Sequence, residues 1–158
     1  MSSTVKLSYG NKANGIIIYN PIELNFNSKL KPVNKIVNIG LVANLLGYKG
    51  INYFIKSYDY LPKNINHQII YNIFGDGPSK HNLMCLSNNN ENIIFHGFKP
   101  DKEFYNYIDI LVCPSIEEEA FSLVIFEATK NSIPVIATNL KVHKEFFSNN
   151  SFVFSASS

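Results

Sequence analysis

Charge is scarce in this chain. Charged side chains make up 16% of its 158 residues and leave a net charge of +2. That is too little for the dense basic stripe a nucleic-acid footprint needs. The lysines are spread along the chain, as on a solvated surface. No Asp-x-Asp pair occurs, so a divalent-metal phosphate site lacks its commonest carboxylate signature. Cysteine is limited to Cys85 and Cys113, placed in a predicted helix and a predicted strand. Two reduced, mostly buried thiols in an intracellular protein are expected. His67, His81, His96 and His143 show no metal-ligand spacing with each other or with the cysteines. No apolar run approaches a membrane span, and the first residues do not read as a signal peptide. Apolar residues, by contrast, make up 46% of the chain, which marks it as globular rather than disordered. Its length suits one domain with a sizeable core. The surplus of Asn, Ile, Lys, Tyr and Phe reads as genome composition.

Residues 1–34 read as a polar lead-in and a linker, broken by the short apolar run Gly15–Tyr19. From residue 35 to 158 a regular alternation sets in. Ile36–Ala43 reads as a strand, with Gly40 allowing close backbone approach. Asn44–Gly50 is a loop. Ile51, Phe54, Ile55, Tyr58 and Leu61 repeat at helical spacing until Pro62. Gln68–Phe74 is a strand running into the turn Gly75-Asp76-Gly77-Pro78, and a helix follows over about Ser79–Leu86. Ile93–Phe95 is a strand ending at His96-Gly97. Asp101 caps a short helix whose apolar side is Phe104, Tyr107 and Ile108. Ile110–Cys113 and Pro134–Ala137 are strands, Val142–Phe147 is a short helix, and Phe152–Phe154 is the last strand. The strands are continuous apolar runs, the mark of a parallel sheet covered on both faces. The expected class is therefore α/β, with a doubly wound parallel sheet. Such a sheet binds its ligand outside the carboxyl ends of its strands. That logic nominates Asn44–Gly50, Gly75–Pro78, Gly97–Pro100, Pro114–Ala120 and Thr138–Leu140.

The most distinctive stretch is PSIEEEAFSLVIFEA, from Pro114 to Ala128. It reads as the end of a strand, a loop carrying Glu117, Glu118 and Glu119, and a helix starting near Ala120 or Phe121. The acidic residues suit the positive end of that helix. The helix is apolar nearly all round and is expected to be buried. Glu127 on it then needs partners, and a ligand bearing hydroxyls is one way to supply them. If Glu119 and Glu127 were both helical they would lie about 12 Å apart along the axis and roughly 80° apart around it. That is not the glycosidase pair, about 5 to 9 Å apart. Two carboxylates gripping different parts of one long ligand is the functional reading; a solvated acidic loop, with Glu127 facing a lysine, is the plain one. Amides at the helix start would stabilise a phosphate, and Lys49 can reach the same place as a point charge. Without other context, a lone lysine beside a glycine is more often plain surface. The Gly75 turn is a weak phosphate signal, being neither G-x-G-x-x-G nor a P-loop. Phe98 can stack on a base or sit at a rim, and His96 reads as a half-buried strand-end histidine.

The order of KG (Lys49-Gly50), GDGP (Gly75–Pro78), FHGF (Phe95–Phe98), PS followed by EEEAFSLVIFEA, and PVIAT (Pro134–Thr138) resembles glycosyltransferase family 4. The likeness is to the Rossmann-like, carboxy-terminal, donor-binding half of these GT-B retaining enzymes, and it covers nearly the whole chain. The run Tyr19-Asn20-Pro21-Ile22-Glu23 resembles the entry into that half. The resemblance implies Glu119 as the carboxylate at the sugar and the reacting centre, and Glu127 on the ribose hydroxyls. It implies amides around Phe121, Ser122 and Leu123 on the diphosphate with Lys49, and Gly75, Gly97 and Phe98 around the nucleotide. The implied reaction moves a sugar from a UDP- or GDP-sugar to an acceptor hydroxyl of a glycan or lipid, with retained configuration. No cofactor or metal is required, and the departing diphosphate is stabilised electrostatically.

Two positions depart from the family pattern. Asn44 stands where an arginine usually partners the lysine, which removes a bidentate cation. Ser122 stands where glycine usually follows the phenylalanine. The acceptor domain that precedes this half in the family is expected to be missing, as is the helix after the last strand. The expectation is a truncated chain, a split protein or a degenerate copy, binding donor but transferring little by itself. A cytoplasmic location follows from the resemblance, with any peripheral membrane contact left to the absent half. The alternatives are a non-catalytic nucleotide-binding module, kept open by Asn44, and a sugar-nucleotide epimerase of the same architecture, which the Phe121-to-Glu127 arrangement disfavours.

Overall fold

The computed structural model describes residues 35–100, 103–117, 121–147 and 153–156. The lead-in and linker, Asp101, Glu118 and Glu119 lie outside the described residues. Six parallel strands form one sheet: β1 (Val37–Val42), β2 (Ile69–Phe74), β3 (Ile93–Gly97), β4 (Ile110–Cys113), β5 (Val135–Thr138) and β6 (Val153–Ala156). Their order is β3-β2-β1-β4-β5-β6. The order reverses between β1 and β4, which pair through Ile39 with Ile110 and Gly40 with Leu111. Among the described residues four α-helices lie on the sheet: α1 (Ile51–Ser57), α2 (Lys80–Leu86), α3 (Leu123–Lys130) and α4 (Lys141–Phe147). This is the expected α/β doubly wound sheet.

Alternation along the strands sends side chains to two cores. Leu41, Tyr71, Ile73 and Ile93 pack with Ile51, Phe54 and Ile55 of α1 and Leu83 of α2. Phe74, Leu111, Val135 and Ala137 pack with Ile125 and Ala128 of α3 and Phe147 of α4. The apolar positions at helical spacing from Ile51 to Leu61 are all buried or half-buried. The α-helix stops at Ser57, and a 3-10 turn at Tyr58–Tyr60 carries the chain to Leu61. Leu61 is extended, as the residue before a proline tends to be.

Four expectations are corrected. Cys113 is buried, but Cys85 is exposed. Helix α2 turns only Leu83 inward, with Ser87 one turn on, so its remaining face meets solvent. The helix after β3 is a 3-10 turn, Glu103–Asn106. Tyr105 and Ile108 are buried and Phe104 is half-buried, while Tyr107, expected on the apolar side, lies just beyond the turn and is 70% exposed. Helix α3 starts at Leu123, two to three residues later than expected, and is not buried all round. Ile125 and Ala128 point into the core, Leu123 is exposed and Glu127 is half-buried. At Gly40, an added Cβ would meet the Ile108 side chain, so the close approach there is by a side chain rather than a backbone.

Candidate functional site

A cleft of about 300 Å³ opens at the carboxyl ends of the strands, at the reversal between β1 and β4. Its walls come from four loops and one helix start: Val42–Asn44 with Lys49, Phe74-Gly75, Phe98-Lys99, Val112–Ser115, and Phe121–Val124. Doubly wound sheets bind ligands at such a place because the loops on either side of the reversal diverge.

Backbone hydrogen bonds lace these loops together. Ala43 N–H donates to Phe74 O (3.0 Å), Leu45 N–H to Asp76 O (2.9 Å) and Ser79 N–H to Leu45 O (3.1 Å). Ile116 N–H donates to Tyr48 O (2.9 Å), tying the loop after β4 to the loop after β1. Lys49 ends a 3-10 turn, Gly47–Lys49, that Gly50 terminates in the left-handed region at φ 68°. A Cβ at Gly50 would run into the carbonyl of Pro114, so only glycine lets the lysine loop press on the loop after β4. Lys49 is half-buried, with its ammonium 5.2 Å from the centre of the Tyr48 ring. On the far side, the Thr138 hydroxyl at the end of β5 donates to Ser115 O at 2.6 Å.

The start of α3 is held by an aromatic cluster. Phe121 stacks on Phe126 (4.8 Å, 10°) and meets Phe146 edge-on (5.0 Å, 76°). Ser122 is buried at φ −105°, a conformation open to any residue, so the serine fits without the left-handed geometry that would demand glycine. Its carbonyl accepts from the amide of Ile125 at 3.2 Å. The amides of Leu123 and Val124 precede that bond, and both residues line the cleft at the end of the helix where its dipole is positive.

Of the residues nominated from the sequence, the cleft brings together Asn44, Lys49, Gly75, Phe98, Phe121, Ser122 and Leu123. Gly97 is not in the wall; its carbonyl accepts from Gly75 N–H at 2.8 Å and so fixes the turn behind it. Glu127 also stands outside the wall, one turn along α3 from Leu123. Its Oε2 accepts a hydrogen bond from the Tyr105 hydroxyl at 2.9 Å. Tyr105 is 2% exposed, and burial, then the Glu127 charge and hydrogen bond, push its hydroxyl far above the ordinary tyrosine range. It therefore remains a donor. Glu119 lies outside the described residues.

Sequence reasoning missed Tyr105 and Phe104 as site residues, and it nominated Lys99 only as part of the loop Gly97–Pro100. Phe104 lines the cleft and stacks on Phe74 at 4.9 Å, and Phe74 stacks on His96 at 4.4 Å. Lys99 brings a second cation to the mouth, beside Phe98, whose ring is 71% exposed. The Phe98-Lys99 pair directly after a strand-end glycine was the available signal. His96 is half-buried, and its Nε2–H donates to Asn72 Oδ1 at 2.8 Å. Burial and the nearby Lys99 charge hold its pKa below the ordinary histidine value. Asp76 accepts from Lys80 Nζ (2.7 Å) and from Gly77 N–H (2.8 Å), and these bonds hold its carboxyl below the usual range. Among the described residues no group of three acidic, histidine or cysteine side chains is placed to hold a metal.

Two cations, a helix start and an exposed aromatic ring thus surround one cleft. That set is suited to an anion joined to a flat ring. A family model described as glycosyl transferases group 1 matches residues 22–158, and the chain belongs to that family. It is 37% identical over 144 residues to the O-antigen biosynthesis glycosyltransferase WclY of Escherichia coli, an alignment covering 83% of this chain and 39% of that protein. The chain thus spans about two fifths of the length of this relative. Among solved structures, a mutant of Staphylococcus aureus TarM, in complex with fondaparinux, α-GlcNAc-glycerol and UDP, matches with a TM-score of 0.83 at 19% identity, over 98% of this chain and 32% of that one. HepE of Anabaena in complex with UDP-glucose matches with a TM-score of 0.63 at 22% identity, over 76% of this chain and 35% of that one. The fold is that of GT-B glycosyltransferases.

Proposed function

We propose that this chain is the nucleotide-sugar-binding half of a retaining glycosyltransferase, one that moves a sugar from a UDP- or GDP-sugar to an acceptor hydroxyl. The observation that carries the proposal is the cleft at the β1/β4 reversal, where Lys49 and the start of α3 converge. A diphosphate there would lie against the ammonium and the amides of Leu123 and Val124. Phe98 would stack on the base, and Lys99 would add charge at the mouth. Glu127 would receive the ribose hydroxyls, and Glu119 would sit by the sugar. Negative charge grows on the diphosphate as the glycosidic bond breaks, and fixed donors aimed at it lower the barrier without a metal. The leaving phosphate takes the acceptor proton. WclY is an O-antigen biosynthesis enzyme, which supports a cell-surface glycan as acceptor. An amino-terminal acceptor domain would complete the enzyme, and this chain alone would bind donor without transferring. The reaction would take place in the cytoplasm, at the inner face of the membrane if the partner half docks there.

Asn44 favours a second reading, a nucleotide-binding module without catalysis. It lines the cleft where the family pattern carries a second cation. Calorimetric titration with UDP, GDP and ADP in EDTA separates the readings from the absence of a site. One nucleotide is expected to bind, weakened about tenfold or more in Lys49→Ala and Glu127→Ala. Transfer after the amino-terminal half is supplied distinguishes enzyme from module. Binding of none of the three, with or without that half, would reject both.

A further inference from the structure

We propose that Tyr105 is a positioning residue for Glu127: its buried hydroxyl sets the carboxylate in the orientation that receives the ribose hydroxyls. This rests on the nucleotide reading above. Glu127 is four residues beyond Leu123, so both lie on one face of α3, and helix side chains lean toward the amino end. The carboxylate therefore leans toward the turn whose Leu123 lines the cleft. A glutamate has three rotatable side-chain bonds and needs a fixed contact to hold one orientation. The 3-10 turn Glu103–Asn106 supplies one such contact. Tyr105 O–H donates to Glu127 Oε2 at 2.9 Å. The tyrosine ring is itself fixed, 4.6 Å from Phe104, which stacks on Phe74 in the cleft wall. The backbone at Glu127 is tied as well: its carbonyl accepts from the Asn131 side-chain amide at 2.7 Å. A hydroxyl this buried donates at every physiological pH, so the carboxylate is held in all conditions where it is charged.

The test compares whichever of UDP and GDP binds with its 2′,3′-dideoxy counterpart, in the unaltered chain, Tyr105→Phe, Glu127→Gln and the double variant. The unaltered chain is expected to prefer the ribonucleotide. Tyr105→Phe is expected to weaken it about tenfold, to leave the dideoxy nucleotide unchanged, and to add little once Glu127→Gln is present. A purely structural role would weaken both nucleotides alike, and that result would overturn the proposal. So would a ribose preference that survives Tyr105→Phe. Equal affinity of the unaltered chain for both nucleotides, or no binding, would instead overturn the nucleotide reading and this proposal with it. Should Tyr105→Phe fold poorly, the chain labelled at tyrosine Cζ serves. The line that moves in Glu127→Gln belongs to Tyr105, and it is expected to shift with the ribonucleotide but not with the dideoxy form. No difference between the two would overturn the proposal.

Discussion

At the scale of the residue, the site depends on a few side chains that have no freedom to be anything else. Gly50 is one. Its φ of 68° and the Pro114 carbonyl against its Cα leave no room for a side chain. Gly50→Ala is expected to cost about 2 kcal/mol or more in urea unfolding, from left-handed strain and the clash together. It should also weaken nucleotide binding, because Lys49 moves with the loop. Asn44 is the converse case, a position with room for more. Asn44→Arg is expected to tighten diphosphate binding several-fold in calorimetry by restoring a bidentate cation. His96 gives the fold a pH dependence. Its folded pKa is depressed, so the unfolded chain takes up the proton first as pH falls. Its contribution is fully present above the unfolded value near 6.5 and is lost as pH falls from there through the lower folded value. His96→Gln should flatten that part of the stability curve in thermal melts. The nominated residues were legible because each has a distinct chemistry at a strand end. Tyr105 was not, since its meaning lies in what it touches 22 residues away.

At the scale of the element, the strands could be read almost to the residue because both faces of the sheet demand apolar side chains. β2 spans Ile69–Phe74 where Gln68–Phe74 was expected, and β4 spans Ile110–Cys113 as expected. The segment before β4 was expected to be a helix, but it makes only the 3-10 turn Glu103–Asn106, which turns Tyr105 inward, while Tyr107, beyond the turn, is exposed. The start of α3 was placed early because the acidic run looks like a first helical turn, whereas Phe121 and Ser122 are held outside the helix by the aromatic cluster. That helix is the element on which the site turns. Ile125, with no exposed surface, anchors it against β4 and β5. Ile125→Ala is expected to cost about 2 to 5 kcal/mol in chemical denaturation. Its effect on nucleotide affinity should exceed that of Val37→Ala, at the opposite end of the sheet.

At the scale of the whole molecule, the topology makes the site. Strand order β3-β2-β1-β4-β5-β6 reverses between β1 and β4, and the cleft opens at the carboxyl ends of the strands there. The alternation of strands and helices foretold the sheet, and with it the end at which a ligand binds. The cleft's aromatic wall was hidden, because Phe74 and Phe104, which line it, stack across segments far apart in sequence. Glu127 likewise stands behind the wall rather than in it, one turn along α3 from Leu123. The central claim is that a nucleoside diphosphate occupies this cleft. It is tested most directly by following the backbone amides of the 15N-labelled chain while UDP, and then GDP, is added. The expected result is that Asn44, Lys49, Phe98, Leu123 and Val124 shift together, saturably and in EDTA, while Lys35, Ile36 and Ile70 stay still. Shifts centred on the opposite end of the sheet, or none with either nucleotide, would contradict it.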